Sequence, residues 1–264
     1  MEGNSERKDA CGNAAAAPSI SFENICLSFN GSALFKNLNF EVEAGLCTCI
    51  LGPSGCGKST LLKLISGNPS LTYTGRIRFS GGKRQDHKAA WMAQNDLLMP
   101  WMRIIDNVLL GATLRAPGFK KNVSEALRKK AAALLIEAGL GGYEQAYPSA
   151  LSGGMRQRVA LLRTLMEDRQ VLLMDEPFSA LDALTRIRLQ NLAAGMIKGA
   201  TVLLVTHDPM EALRMGDRIH VMSGTPVQMG SVLHLPGNPP RDAGDPQTAG
   251  LYAGLLKRLM GEVS

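Results

Sequence analysis

Residues 49–67 read "CILGPSGCGKSTLLKLISG", an apolar strand, a glycine-rich loop and the start of an amphipathic helix. Gly52, Pro53, Ser54, Gly55, Cys56, Gly57, Lys58 and Ser59 fill the pattern G-x-x-x-x-G-K-S, and Thr60 follows in the helix. Glycines without Cβ let successive backbone N–H groups wrap a phosphate chain, and the dipole of the following helix favours the same anion. Lys58 then bridges the terminal phosphates of a nucleoside triphosphate, while Ser59 offers its hydroxyl to Mg²⁺. The strand before and the helix after separate this loop from a chance glycine turn. Cys56 sits at a free position of the pattern and needs no chemical role.

A phosphate-bound Mg²⁺ also requires a carboxylate at a strand end, and "VLLMDEP" (171–177) supplies one after four apolar residues. Asp175 is suited to hold the metal through water. Glu176, one residue nearer the γ-phosphate, is suited to polarise the attacking water as a general base. A second phosphate-binding design lies at "LSGGMRQR" (151–158), where Ser152 is a good N-cap and Gly153 and Gly154 expose the first N–H groups of a helix. A chain with one complete phosphate cradle has no evident use for another.

Short β-type runs, several of them apolar throughout, fall at 20–29, 38–42, 47–51, 76–79 and 89–92, and again at 171–174, 201–205, 218–222 and 227–229. Between the two groups, about 95–168, the pattern is mainly helical. "MRIIDNVLLGATLRA" is followed by "NVSEALRKKAAALLIEAG", in which Val123, Leu127, Ala131, Leu134 and Ala138 share a face, Asn122 is the expected cap and Gly139 the stop. The expected organisation is an α/β core of the P-loop NTPase kind, a mixed sheet with flanking helices and an antiparallel β part, interrupted by a helical subdomain. Residues 1–19, polar then alanine-rich, are expected to be a disordered tail. Residues 20–235 form the nucleotide domain and 236–264 an irregular Pro/Gly-rich arm ending in a helix from 249.

Composition narrows the partners. The chain has 264 residues and a net charge of +6, with its 29 basic residues scattered among 23 acidic ones, so no basic stripe argues for nucleic acid. No apolar run reaches the roughly 18 residues a membrane span needs, and the N-terminus lacks the order of a secretion signal, so a cytoplasmic location is expected. Cys11, Cys26, Cys47, Cys49 and Cys56 show no paired spacing and read as free thiols. Cys47 and Cys49, inside "LCTCILG", read as small core hydrophobes.

Taken in order, these motifs make the chain similar to the ATP-binding subunits of ATP-binding cassette (ABC) transporters, over about residues 20–235. "GPSGCGKST" resembles the Walker A loop, Gln94 in "WMAQND" the Q-loop glutamine, "LSGGM" the family signature and "VLLMDEP" the Walker B strand with its catalytic glutamate. "SALD", ending at Asp182, resembles the D-loop, and His207 in "LLVTHD" the switch histidine. Phe29 stands where the family places an aromatic on adenine, a core phenylalanine at a strand end being the alternative. The resemblance implies ATP and Mg²⁺ as ligands, Gln94 beside Ser59 and Asp175 at the metal, and Gln94 and His207 beside Glu176 in catalysis. It also implies a head-to-tail dimer in which Ser152, Gly153 and Gly154 of one copy close over the ATP held by the other, which answers the question of the second phosphate design.

The stretch "NDLLMPWMRIIDNVLLG" (95–111) resembles the nitrate, sulfonate, taurine and hydroxymethylpyrimidine (thiamine precursor) importers. In that group it lies beside the groove for a membrane subunit, so Leu97, Leu98, Met99 and Trp101 are candidate partner contacts, with buried subdomain packing as the other reading. The implied partners are integral-membrane permease subunits and, indirectly, a solute-binding protein, with the chain peripheral at the cytoplasmic face of the membrane. A soluble ABC ATPase acting on ribosomes or DNA is the rival, but neither a second cassette nor sustained heptads are present. A small-molecule kinase would not need "LSGGM". No extra C-terminal regulatory domain of the kind that the family's sugar-importer subunits carry is expected here, so the resemblance implies that a sugar is a less fitting cargo.

Overall fold

Three strands whose side chains are buried on both faces form the middle of the larger sheet, β3 (Cys47–Leu51), β6 (Val171–Asp175) and β7 (Thr201–Thr206). The computed structural model describes residues 17–81, 88–115 and 123–260. These strands run parallel with β5 (Ala89–Met92) and β8 (Arg218–Ser223) in the order β8-β3-β7-β6-β5. Two short strands, β9 (Gln228–Met229) and β10 (Leu233–His234), pair antiparallel with β8. The smaller sheet is antiparallel, with β1 (Ile20–Phe29) between β2 (Ser32–Val42) and β4 (Thr74–Phe79). The expected α/β class with an antiparallel part is what the chain adopts.

Strand alternation sorts the core into two layers. Ile50, Leu173, Leu203 and Val205 pack with the smaller sheet and with helix α1 (Lys58–Ser66). Cys49, Leu51, Leu172, Met174, Val202 and Leu204 face the opposite way. They pack with helices α2 (Ile104–Val108), α4 (Glu125–Glu137), α5 (Gly153–Leu165), α6 (Ala183–Met196) and α7 (Pro209–Met215). Cys47 and Cys49 are indeed core residues; a hydrogen bond with the Cys47 side chain, then burial, push the Cys49 thiol up, so it stays protonated and unreactive.

Several boundaries differ from the sequence expectation. Strand β2 begins at Ser32, six residues early, because Asn30 and Gly31 take positive φ (49° and 81°) and close a two-residue hairpin that brings Phe35 into the core. The helical run after residue 101 is two pieces, α2 and α3 (Leu110–Arg115). Ser124, not Asn122, caps α4 by accepting from the Leu127 amide (3.2 Å); Asn122 lies outside the described residues. The Val123–Ala138 face is apolar as read, Ala131, Leu134 and Ala138 being buried and Gly139 taking φ 69°.

Both ends of the chain pack further than composition suggested. Residues 1–16 of the expected tail lie outside the described residues, but 17–19 are seated: the Pro18 carbonyl accepts from Thr201 Oγ1 (2.7 Å) and the Ser19 amide donates to Ser80 Oγ (2.8 Å). At the other end, helix α8 (Pro246–Leu259) starts three residues before the expected 249, with Asp245 as its N-cap and Pro246 in its first turn. The arm before it is pinned rather than loose. The buried Arg241 guanidinium donates to the carbonyls of Pro236 (2.7 Å), Leu213 (3.0 Å), Gly216 and Gly237 (2.9 Å).

Candidate functional site

Parallel strands leave their C-terminal ends together, and three adjacent ones here carry the chemistry. The loop 52–57 follows β3, Asp175 ends β6 with Glu176 directly after it, and His207 follows β7. Beside them lies a cavity lined by Ser54, Gly55, Gly57, Lys58, Ser59, Thr60, Gln94 and Glu176. The loop geometry depends on its glycines: Gly57 takes φ 98°, and a Cβ on Gly52 would stand 2.8 Å from Cys56 Sγ and 2.9 Å from the Met222 carbonyl. Lys58 is buried, its Nζ donating to the carbonyls of Gly52 (2.8 Å) and Pro53 (2.9 Å), which holds the ammonium over the loop's own backbone.

Asp175 is 5% exposed, and burial raises its carboxyl above the usual range, opposed by a hydrogen bond from the Ser59 side chain and by the Lys58 charge. Hydroxyl, carboxylate and amide oxygens at Ser59, Asp175 and Gln94 are a hard-oxygen donor set that fits Mg²⁺. Phosphate oxygens of a bound nucleotide would complete such a shell. Glu176 adopts φ 49°, uncommon for a residue with Cβ, with its amide donating to the Val205 carbonyl (2.9 Å). Its Oε1 lies 3.1 Å from His207 Nδ1, and its side chain is mostly buried while His207 is half exposed.

The remaining candidates lie elsewhere. Ser152 caps α5, its Oγ accepting from the Met155 amide (3.3 Å), and Ser152 and Gly153 face solvent. None of Ser152, Gly153, Gly154 or Asp182 lines the cavity of its own chain. Asp182 is exposed and caps α6 by accepting from the Thr185 amide (3.0 Å); that backbone bond holds its carboxyl below the usual range. Phe29 is 47% exposed at the end of β1, which removes the reading of a core phenylalanine. Trp101 is 73% exposed and Leu97 57%, whereas Leu98, a candidate contact in the sequence, is buried at 8%. Asn107, fully buried, fixes this loop by accepting from the Met99 amide (2.8 Å) and donating to the carbonyls of Met99 (3.2 Å) and Met102 (3.1 Å).

A matching family model, described as "ABC transporter", covers residues 35–179. An ABC transporter ATP-binding protein of Haemophilus influenzae is 40% identical over 92% of this chain and 99% of its own length. The chain belongs to the ABC transporter family. The cassette is also 39% identical to the aliphatic sulfonates import ATP-binding protein SsuB 1 of Rhodococcus jostii, over 88% of this chain and 89% of that one. Its fold matches a dimeric ATP-binding cassette, MJ0796, in a post-hydrolysis state bound to ADP and Pi, with a TM-score of 0.71 at 29% identity over 83% of this chain and 99% of that one. The cassette is thus an ATPase, and among its described residues no helix is long and apolar enough to cross a membrane.

Sequence reading missed Glu211, four residues beyond His207, because an acid in the first turn of a helix ordinarily faces water. Here it is 2% exposed, and burial, then the nearby Asp208, push its carboxyl up to about 8, against a hydrogen bond with Thr206 and the charge of Arg186. Because the folded value lies above the unfolded 4.5, the folded state binds the extra proton, and stability falls as pH rises from about 4.5 to about 8. The slope from this one group is at most about 1.4 kcal/mol per pH unit. Glu211→Gln should remove that component, so denaturant titrations should show the variant gaining on the wild type up to about pH 8 and no further. Parallel stability curves for the two proteins would show that Glu211 is not held protonated.

Proposed function

We propose that the cassette is the ATP-hydrolysing subunit of an importer for a small solute of the sulfonate, nitrate, taurine or thiamine-precursor kind, working as a homodimer on separate membrane permease subunits served by a solute-binding protein. The observation that carries the reading is the split site: a complete phosphate cradle at 52–60 and an exposed, capped "LSGGM" helix start that does not line it. The names of the sulfonate-import relatives point to the cargo class.

Backbone N–H groups of Gly52–Gly57 and the α1 dipole bind the phosphates, and Lys58 neutralises the terminal ones. Phe29 stacks on adenine. Ser59, Asp175 and Gln94 hold Mg²⁺, which when bound neutralises charge developing on the transferred phosphoryl group. Glu176 accepts the proton of the attacking water, and His207, 3.1 Å away, orients the carboxylate and contacts the γ-phosphate end of the site. A second copy supplies Ser152, Gly153, Gly154 and Asp182, closing the site and excluding water. Since the Gln94 segment continues directly into Leu97–Trp101, closure over ATP moves the surface offered to the permease at the cytoplasmic face of the membrane.

Trp101→Ala tests that surface. An indole already 73% exposed has little burial to lose, so the melting temperature and basal ATPase of the isolated cassette should barely change, while association with the permease weakens and transport uncouples. A loss of stability approaching the 3–5 kcal/mol or so of a buried Trp truncation would assign Trp101 to the fold instead.

A further inference from the structure

Behind His207 lies a second polar cavity, lined by Ser179, Arg186, Thr206, His207, Asp208, Pro209 and Glu211. Arg186, on the first turn of α6, spans it. One guanidinium nitrogen donates to Asp208 Oδ2 (2.9 Å), next to the switch histidine, and another to the Leu181 carbonyl (3.1 Å), next to Asp182. The other oxygen of Asp208 accepts from the amides of Met210 (2.9 Å) and Glu211 (3.3 Å), and its own amide donates to Thr206 Oγ1 (3.0 Å). Farther along the same two helices, Arg214 of α7 donates to Gln190 Oε1 (2.8 Å) and Asn191 Oδ1 (2.9 Å) of α6. The segment 179–182 and the switch therefore adjoin helices tied to each other at two places.

We propose that Arg186 is a positioning residue, a strut that fixes His207 relative to the 179–182 segment and so sets the hydrolysis step without contributing to ATP binding. The inference rests on the role assigned to His207 above. Magnitudes separate it from a purely structural contact. The pair is only partly buried, about 30% exposed on each side (31% and 28%), so water can solvate either group once its partner is removed. A misplacement of about 1 Å at a catalytic group can cost about a hundredfold in rate. Losing the strut should thus show in kcat and scarcely in the melting temperature.

The test is ATPase kinetics of the full-length Arg186→Gln, Asp208→Asn and double variants, with His207→Ala alongside. Each single change should lower kcat by about tenfold or more with KM for ATP within about twofold, and the double variant should be no worse than the singles. Arg186→Lys, which keeps the charge but not the fork, should recover part of the loss. Asp208→Asn keeps the oxygen that caps α7, so it carries the same expectation should Arg186→Gln fold poorly. Multiplying effects in the double variant, or single variants within about twofold of wild type while His207→Ala is inactive, would overturn the strut alone. Full activity in His207→Ala would overturn the histidine's role and the strut with it.

Discussion

Glu176→Gln is expected to bind ATP as the wild type does and to hydrolyse it at least about a hundredfold more slowly, the scale on which a general base contributes. The amide keeps the size of the side chain and an oxygen to face His207 Nδ1, so the 3.1 Å contact can persist. Lys58, Ser59 and Asp175 are untouched. Only the capacity to accept a proton from water is gone. Because ATP then stays in the composite site, it should also hold two copies together, and an ATP-dependent dimer should accumulate on size-exclusion chromatography. Hydrolysis within about threefold of wild type would remove Glu176 from the role of base.

Ser152→Arg should be as damaging by a different route. The change costs the α5 N-cap, an effect of about 0.5–2 kcal/mol, and fills the gap over the exposed Gly153 amide with a long cationic side chain. It leaves the chain's own cradle alone, since Ser152 does not line that cavity. Nucleotide affinity of the monomer should stay within about twofold while hydrolysis falls by about a hundredfold or more, measured by nucleotide titration and phosphate release. Weakened ATP binding in the monomer would mean that "LSGGM" serves its own P-loop after all.

The sequence made the centre of the site legible because phosphate and Mg²⁺ chemistry demands particular residues at fixed spacing, and strand-loop-helix context travels with them. Gln94, Lys58, Ser59 and Glu176 meet in one cavity as that logic requires. Buried strands were equally plain, as continuous apolar runs. What was not legible depends on tertiary contact. Asn30-Gly31 is a local hairpin signal and Asp245-Pro246 a local helix-start signal, so these two boundaries are written in the sequence itself. By contrast, nothing local marks Arg241 as the buried pin of the C-terminal arm, Glu211 as a buried acid or Arg186 as the link between two loops; each is a polar residue whose partners come from distant parts of the chain. Leu98 and Trp101, three residues apart in one apolar loop, differ in exposure in a loop whose backbone is held at Met99 and Met102 by the distant Asn107 side chain.

The claim that one ATP is shared between two copies is tested most directly by mixing Ser152→Arg chains with Lys58→Ala chains and measuring phosphate release. Each variant alone should be inactive, for every site in its dimer carries a lesion. In a mixed dimer both lesions fall in one site, leaving the other with an intact cradle from one copy and an intact "LSGGM" from the other. Random pairing makes half of the dimers mixed, so an equimolar mixture should recover up to about a quarter of wild-type turnover. A mixture that forms mixed dimers yet stays as inactive as its components would contradict the shared site.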